Sequence, residues 1–170
     1  MADLDAFCAM EADPDVRRYV GGRPRPREEA ERRFMEGALR PATNRMAMWA
    51  TVLKSTGQYI GRCGVYPHFK NGGGVYEGEG ALGLYIATEY WGRGYATEAG
   101  LAFVKFGFDE LKFNKIVTAI DIRNDASVRV IEKLGFELVR TEVGEHRSFY
   151  HYALKKESRI KSQEPGKKEV

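Results

Sequence analysis

The chain has 170 residues, 43% apolar and 30% charged, the balance of one ordinary globular domain with a core of its own rather than of a disordered chain. No apolar run reaches the length of about 18 residues that a membrane helix needs, and Met1-Ala2-Asp3-Leu4-Asp5 lacks the basic-then-apolar pattern of a signal peptide. The formal charge of +3 is carried entirely by residues 155–170, expected to be a basic, disordered tail behind a domain spanning 1–154. The body is then neutral and shows no basic stripe interleaved with aromatics, so nucleic-acid binding is not expected. Cys8 and Cys63 are too few for a disulfide framework, which points to a reducing cytoplasm.

Along the chain, Asp3 or Asp5 is placed to cap a helix through Met10, and Asp13-Pro14-Asp15 opens a short helical piece ending near Gly21-Gly22. Pro26, followed by Glu28 and Glu29, starts a helix to about Arg40 with an amphipathic stripe of Ala30, Phe34 and Gly37. Met46–Leu53 alternates as a strand, Ser55-Thr56-Gly57 turns the chain, and a second strand runs from Gln58 to about Tyr66. Asn71-Gly72-Gly73-Gly74 reads as a flexible break. From there the chain alternates: strand Ala81–Thr88, helix Tyr95–Leu111, strand Lys115–Ile122, helix Asp125–Leu134. Strands Phe136–Glu142 and His146–Leu154 complete it. Asn124 is placed as the N-cap of the last helix, with Gly135 past its end and Phe136 folding back on its last turn. The pattern gives an α/β fold with a mixed sheet.

The chemistry is concentrated in Trp91-Gly92-Arg93-Gly94-Tyr95-Ala96-Thr97, which follows a strand and opens a helix. Two glycines let the backbone turn sharply close to a ligand. The amides at the helix start lack internal acceptors and lie at the positive end of the dipole, an arrangement that suits a pyrophosphate. It is not the dinucleotide fingerprint, since Thr97 stands at the third glycine's position, and no Walker lysine follows. The second segment, Asp121-Ile122-Arg123-Asn124-Asp125-Ala126-Ser127, ends a strand and starts a helix; taken alone, Asn124 is equally well a helix cap and nothing more.

Together, Trp-Gly-Arg-Gly-Tyr-Ala-Thr-Glu-Ala, Asn-x-x-Ser and Lys-Leu-Gly-Phe, in this order of strands and helices, resemble the GNAT superfamily of N-acetyltransferases. More narrowly, they resemble the branch that acetylates the N-termini of ribosomal proteins. The likeness covers residues 82–136 strongly and extends from Asp3 to Leu154. It implies a mostly antiparallel central sheet flanked by helices and splayed between the strands at 81–88 and 115–122, with the usual first strand missing. Acetyl-CoA is the implied co-substrate and no metal is required. The pantetheine arm would pair with backbone around Leu84 and Ile86. The turn Trp91, Gly92, Arg93, Gly94, Tyr95, Ala96 and Thr97 would hold the pyrophosphate, and Asn124 would bond the pantetheine or the backbone beside it. Acetyl would pass directly to a bound amine, with no acyl-enzyme.

Two positions depart from the family pattern. Glu89 stands where many members carry Gln or Arg, so its side chain is expected to point away and leave phosphate binding to the backbone. Ile131 stands where many carry a tyrosine acid, which leaves Ser127 or a water to serve the leaving thiolate. Glu79 lies close to a glutamate base of some members; its competing reading is a solvated loop carboxylate beside Glu77. Of Tyr150 and His151, only one can face the acceptor site, because neighbours on a strand alternate. His68, His146 and His151 show no ligand spacing, so no metal is assigned. The loops 13–45 and 67–80 are expected to receive the acceptor. The acidity of Glu77 and Glu79 would favour a cationic amine: a protein N-terminus, a polyamine or an aminoglycoside. An open sheet edge is compatible with a homodimer. A CoA-binding module without catalysis and a protein-interaction domain on the same scaffold are the other readings.

Overall fold

The computed structural model describes residues 3–38 and 46–157; the basic tail from 158 onward lies outside them. The elements are α1 (Leu4–Ala12), α2 (Pro14–Arg17), α3 (Arg27–Ala38), β1 (Ala47–Val52), β2 (Tyr59–Phe69), β3 (Val75–Ile86), α4 (Tyr95–Asp109), β4 (Lys115–Asp121), α5 (Asp125–Lys133), β5 (Glu137–Val143) and β6 (Ser148–Lys155). A single 3₁₀ turn, Thr88–Tyr90, joins β3 to the loop before α4.

The strands form one six-stranded sheet in the order β1-β2-β3-β4-β6-β5. Every neighbouring pair is antiparallel except β3 and β4, which run parallel at the centre. Among the described residues no strand precedes α1, and β1 lies at one edge of the sheet.

Strand alternation sorts the two faces. Leu82 of β3, Ile116 and Ile120 of β4 and Tyr152 and Leu154 of β6 point to one face, where Val104 and Phe108 of α4 and Ile131 and Leu134 of α5 close the main core. On the opposite face Tyr59 and Tyr85 meet Phe7, Met10, Val16 and Phe34 from the N-terminal helices. That cover is local, so the rest of this face, over β3, β4 and β6, is open.

Local signals account for the helix ends. Asn124 caps α5 by accepting the Ser127 amide at 3.1 Å. Gly135, at φ 86°, ends it with the Phe136 amide donating to the Ile131 carbonyl and the Gly135 amide to Glu132, a Schellman closure. Asp13 caps α2 through the Asp15 amide. Asp3 sits at the N-cap position of α1, but its backbone is helical and its side chain makes no cap bond; Asp5 is spent on Arg27 instead.

The larger departure is the region from 67 to 80. It is not a loop: β2 and β3 extend into a long hairpin whose turn is confined to 70–74, closed by Lys70 N–H to the Gly74 carbonyl and Gly73 N–H to the Lys70 carbonyl. Strand pairing carries on past the glycines because the backbone has ladder partners on both sides of so short a turn. Glu79 is thus a strand residue.

Candidate active site

The centre of the molecule is a gap in the sheet. β3 and β4 are paired only at Glu79–Lys115, Gly80–Ile116 and Ala81–Val117, and beyond these the strands diverge. The Ala87 amide donates to the Ile60 carbonyl, so alternation makes Leu82, Leu84 and Ile86 direct their amides and carbonyls away from β2, toward the gap. Two of these carbonyls are taken: Leu82 accepts Thr118 Oγ1 at 3.2 Å and Ile86 accepts Trp91 Nε1 at 2.6 Å. Around Leu84, and at the Ile86 amide, the edge has no β4 residue opposite it. An extended ligand is the natural partner for such an edge.

At the open end of the gap stands the turn before α4. Gly92 and Gly94 have φ of 74° and 85°, and a Cβ added at either would meet nothing within 4 Å. Gly94 is the N-cap and supplies no side chain, and the Glu98 amide makes the first helical bond, back to the Gly94 carbonyl. The amides of Tyr95, Ala96 and Thr97 therefore have no acceptor within the helix and lie at its positive end. A cleft of about 1420 Å³ runs along both sides of the gap, lined by Leu84, Ile86, Trp91, Gly92, Gly94, Tyr95, Ala96, Thr97, Asn124 and Ser127. Arg93 is not on its wall; its guanidinium lies 5.6 Å from the centroid of the Tyr90 ring. Glu89 is exposed on the 3₁₀ turn and also off the wall, so neither charged side chain of the turn lines the cleft. Trp91 is half exposed, held by its indole bond to Ile86.

Across the gap, Asn124 spends its carbonyl oxygen on the α5 cap, which leaves its amide group as a donor on the cleft wall. Ile131 is buried in the main core, and an isoleucine there donates no proton. Asp121, at the end of β4, was not singled out from sequence. Its buried carboxylate takes Arg123 (2.7 and 2.8 Å) and Arg147 (2.9 and 3.1 Å), and Arg147 also donates to the Tyr19 carbonyl. The Arg123 hydrogen bonds outweigh burial and hold the Asp121 carboxyl well below the ordinary range. This tie fixes the segment after α2 over the open face.

That open face carries the other half of the site. Ala81, Val117, Ala119 and Ala153 line the cleft from β3, β4 and β6 as a floor of small side chains. At its edge the Glu79 carboxylate is bound twice, by His68 Nδ1 at 2.8 Å and Lys115 Nζ at 2.5 Å. Burial raises the Glu79 carboxyl, but the bonds from Lys115 and His68 outweigh it and leave it below its usual value. Glu79 is therefore not a solvated loop carboxylate beside Glu77, and Glu77 itself is exposed and off the wall. Of the β6 pair, His151 lines the cleft while Tyr150 packs against the main core. Sequence reasoning missed His68 because its contact with Glu79 depends on pairing across a hairpin with a register shift between Pro67 and Phe69. Among the described residues no cluster of His, Cys, Asp or Glu is arranged to hold a metal ion, and no helix is long and apolar enough to cross a membrane.

With this geometry in view, comparison with known proteins identifies the class. The model of the acetyltransferase (GNAT) domain matches residues 1–137. An uncharacterized protein of Bacillus subtilis, YkkB, is 35% identical over 130 residues, 76% of this chain and 72% of its own. The uncharacterized N-acetyltransferase p20 of Bacillus licheniformis is 26% identical over 141 residues, 81% of this chain and 75% of its own. Among solved structures, spermidine N-acetyltransferase of Vibrio cholerae, in complex with CoA and spermine, superposes with a TM-score of 0.75 at 16% identity, covering 94% of this chain and 93% of that one. The chain belongs to the GNAT acetyltransferases. It is an acetyl-CoA-dependent acetyltransferase, and the mixed, mostly antiparallel sheet is the fold of that family.

Proposed function

We propose that the chain transfers acetyl from acetyl-CoA directly to the nitrogen of a primary amine held on the open face of the sheet. The observation that carries this reading is the pairing of two free stretches of backbone along one cleft, the β3 edge around Leu84 with the Ile86 amide, and the amides of Tyr95, Ala96 and Thr97 that open α4. It offers an extended thioester arm a strand to pair with and its pyrophosphate a helix N-terminus to end on. Acetyl-CoA, when bound, supplies an activated acyl group and a thiolate leaving group.

The chain's residues then divide the work. Leu84 and Ile86 pair with the pantetheine, and the Ile86 amide is the donor for the developing oxyanion. Trp91 fixes the start of the turn, Gly92 and Gly94 shape it, and the amides through Tyr95, Ala96 and Thr97 take the pyrophosphate. Asn124 donates its amide hydrogens to the pantetheine, and Ser127 serves the leaving sulfur. The acceptor class is a protein N-terminus, a polyamine or an aminoglycoside-like amine. β5, exposed along its whole length with Leu138, Val139 and Val143 outward, supports the reading as a homodimer. The expected cytoplasmic location and the absence of a metal requirement belong to the same proposal. Burial of Ile131 favours one alternative, a CoA-binding module without turnover.

Calorimetric titration with acetyl-CoA, with ATP as control, tests the site. Micromolar binding of acetyl-CoA and none of ATP is expected. CoA release with a panel of amines then separates the enzyme from the non-catalytic module. No acetyl-CoA binding would overturn the reading.

A further inference from the structure

An acceptor that brings more than one positive charge into the cleft needs a carboxylate or an aromatic face for each, because a desolvated cation without a partner is costly. Five carboxylates line the cleft: Asp15, Glu79, Asp121, Asp125 and Glu142. Four of them are already bound. Arg18 holds Asp15, Lys115 and His68 hold Glu79, Arg123 and Arg147 hold Asp121, and Arg140 and His151 hold Glu142. Asp125 has no basic partner among the described residues and lies exposed in the first turn of α5, beside Asn124. It balances one positive charge and no more. On the same wall Arg129, Lys133 and Lys155 pair with no described carboxylate, so the cleft carries cations of its own to spare.

The aromatic faces are spent as well. Tyr19, Tyr76, Tyr85 and Tyr90 line the cleft, and each has a cation of the protein near its ring centroid. Arg18 lies 5.9 Å from that of Tyr19, Lys70 5.2 Å from Tyr76, Arg62 4.8 Å from Tyr85 and Arg93 5.6 Å from Tyr90. Tyr76 is also stacked on His68, with centroids 4.5 Å apart. A further cation brought to any of these rings meets the repulsion of the one already there.

What the wall offers instead is apolar and long. The floor of Ala81, Val117, Ala119 and Ala153 gains Gly83 beside Ala81, and toward the hairpin the same cleft reaches Phe69 and Tyr76, both exposed. From Ile86 back to Glu79 it follows β3 for about 23 Å, at about 3.3 Å per residue.

We propose that the acceptor is a monoamine, one amine at the end of an elongated apolar body with no further positive charge, and that polyamines and aminoglycosides are disfavoured by the cleft's own cations. This rests on the amine-acetyltransferase reading above and narrows its acceptor class. The N-terminus of an uncharged polypeptide and a long alkylamine share this chemistry.

The test compares octylamine with diaminooctane, equal in chain length and different by one ammonium, through CoA release by the wild type. The kcat/KM for octylamine is expected to exceed that for diaminooctane at least about tenfold, since like charges brought together cost affinity, and spermidine and kanamycin are expected to be slower still. An uncharged hexapeptide amide separates the two sources: turnover above that of octylamine assigns a polypeptide N-terminus, and turnover below it a small amine. Calorimetry on the CoA complex gives a readout independent of turnover, with octylamine expected to bind at least about tenfold more tightly than diaminooctane. Lys115→Gln and Arg140→Gln, combined, uncover Glu79 and Glu142. The diamine-to-monoamine ratio is then expected to rise about threefold, the worth of one exposed ion pair, with the acetyl-CoA Kd within about twofold. An unchanged ratio would sink the role given to the bound carboxylates. Diaminooctane or spermidine bound and acetylated as well as octylamine would overturn the proposal. A wild type that binds no acetyl-CoA would instead overturn the reading beneath it.

Discussion

The two sides of the gap are built from different materials. Toward the turn before α4, the groups offered to a ligand are mostly peptide: the edge at Leu84 and Ile86 and the amides of Tyr95 to Thr97, with Asn124 as the main side chain. On the open face the groups are side chains, His68, Glu79 and Lys115, brought from three strands and held by one another. Peptide groups are present whatever residue stands at a position, so the first side constrains only where side chains must be absent. The second depends on the identity of each member. An enzyme class that shares one co-substrate and varies its acceptor would be expected to divide its site in this way.

Changes on each side can break or sharpen that contrast. The largest effect is expected from Gly94→Val. A branched side chain at φ 85° is strained by about 1–2 kcal/mol and projects into the space over the turn amides. Acetyl-CoA affinity should fall at least about a hundredfold, equivalent to two charge-assisted hydrogen bonds, while circular dichroism shows the fold retained. Wild-type affinity in this variant would mean that the pyrophosphate binds elsewhere.

Asp121→Asn comes next, because it strips charge from a buried group that holds two arginines. Thermal or urea unfolding should show a loss of about 2 kcal/mol. The folded Asp121 carboxyl is held below its unfolded value, so its contribution is full above about pH 4 and is lost as pH falls through the folded value. The wild type should therefore lose its advantage over Asp121→Asn only in acid, and a constant difference down to pH 2 would contradict the assignment.

Asn124→Ala removes the α5 cap, costing about 1 kcal/mol of stability. If its amide group also holds the pantetheine, acetyl-CoA affinity falls about tenfold, or 1.4 kcal/mol; a stability loss alone would reduce Asn124 to a cap. The smallest effect is expected from Ser127→Ala, a fall in kcat of a few fold with Kd unchanged, since water can replace a hydroxyl beside a leaving thiolate.

The same contrast explains what was legible in the sequence. The turn at 91–97, the Asn124 cap and the Gly135 closure are local: glycines, a cap residue and the following hydrophobe stand within a few positions of each other, and α4, β4, α5, β5 and β6 fall within two residues of their expected bounds. The β2–β3 hairpin was misjudged because Asn71 to Gly74 carries a strong break signal, whereas its strands beyond Tyr66 are made by pairing with each other. For the same reason Glu79 was placed in a loop and His68 passed over. Their meeting, and that of Asp121 with Arg147, rests on registers between strands distant in sequence, which no local pattern contains. Of the two carboxylates at 77–79 read as bait for a cation, Glu79 is paired with Lys115, while Glu77 stays exposed and off the cleft wall.

The bond from Trp91 to the Ile86 carbonyl also has an optical consequence. The chain contains two tryptophans. Trp49 lies on β1 at the edge of the sheet, while the Trp91 indole is about half exposed on the cleft wall and joined to the strand edge that borders the gap. Occupation of the gap should quench or blue-shift the emission of Trp91 and leave that of Trp49 as a constant background. In a Trp49→Phe variant a single fluorophore would then follow ligand arrival in real time, without a label.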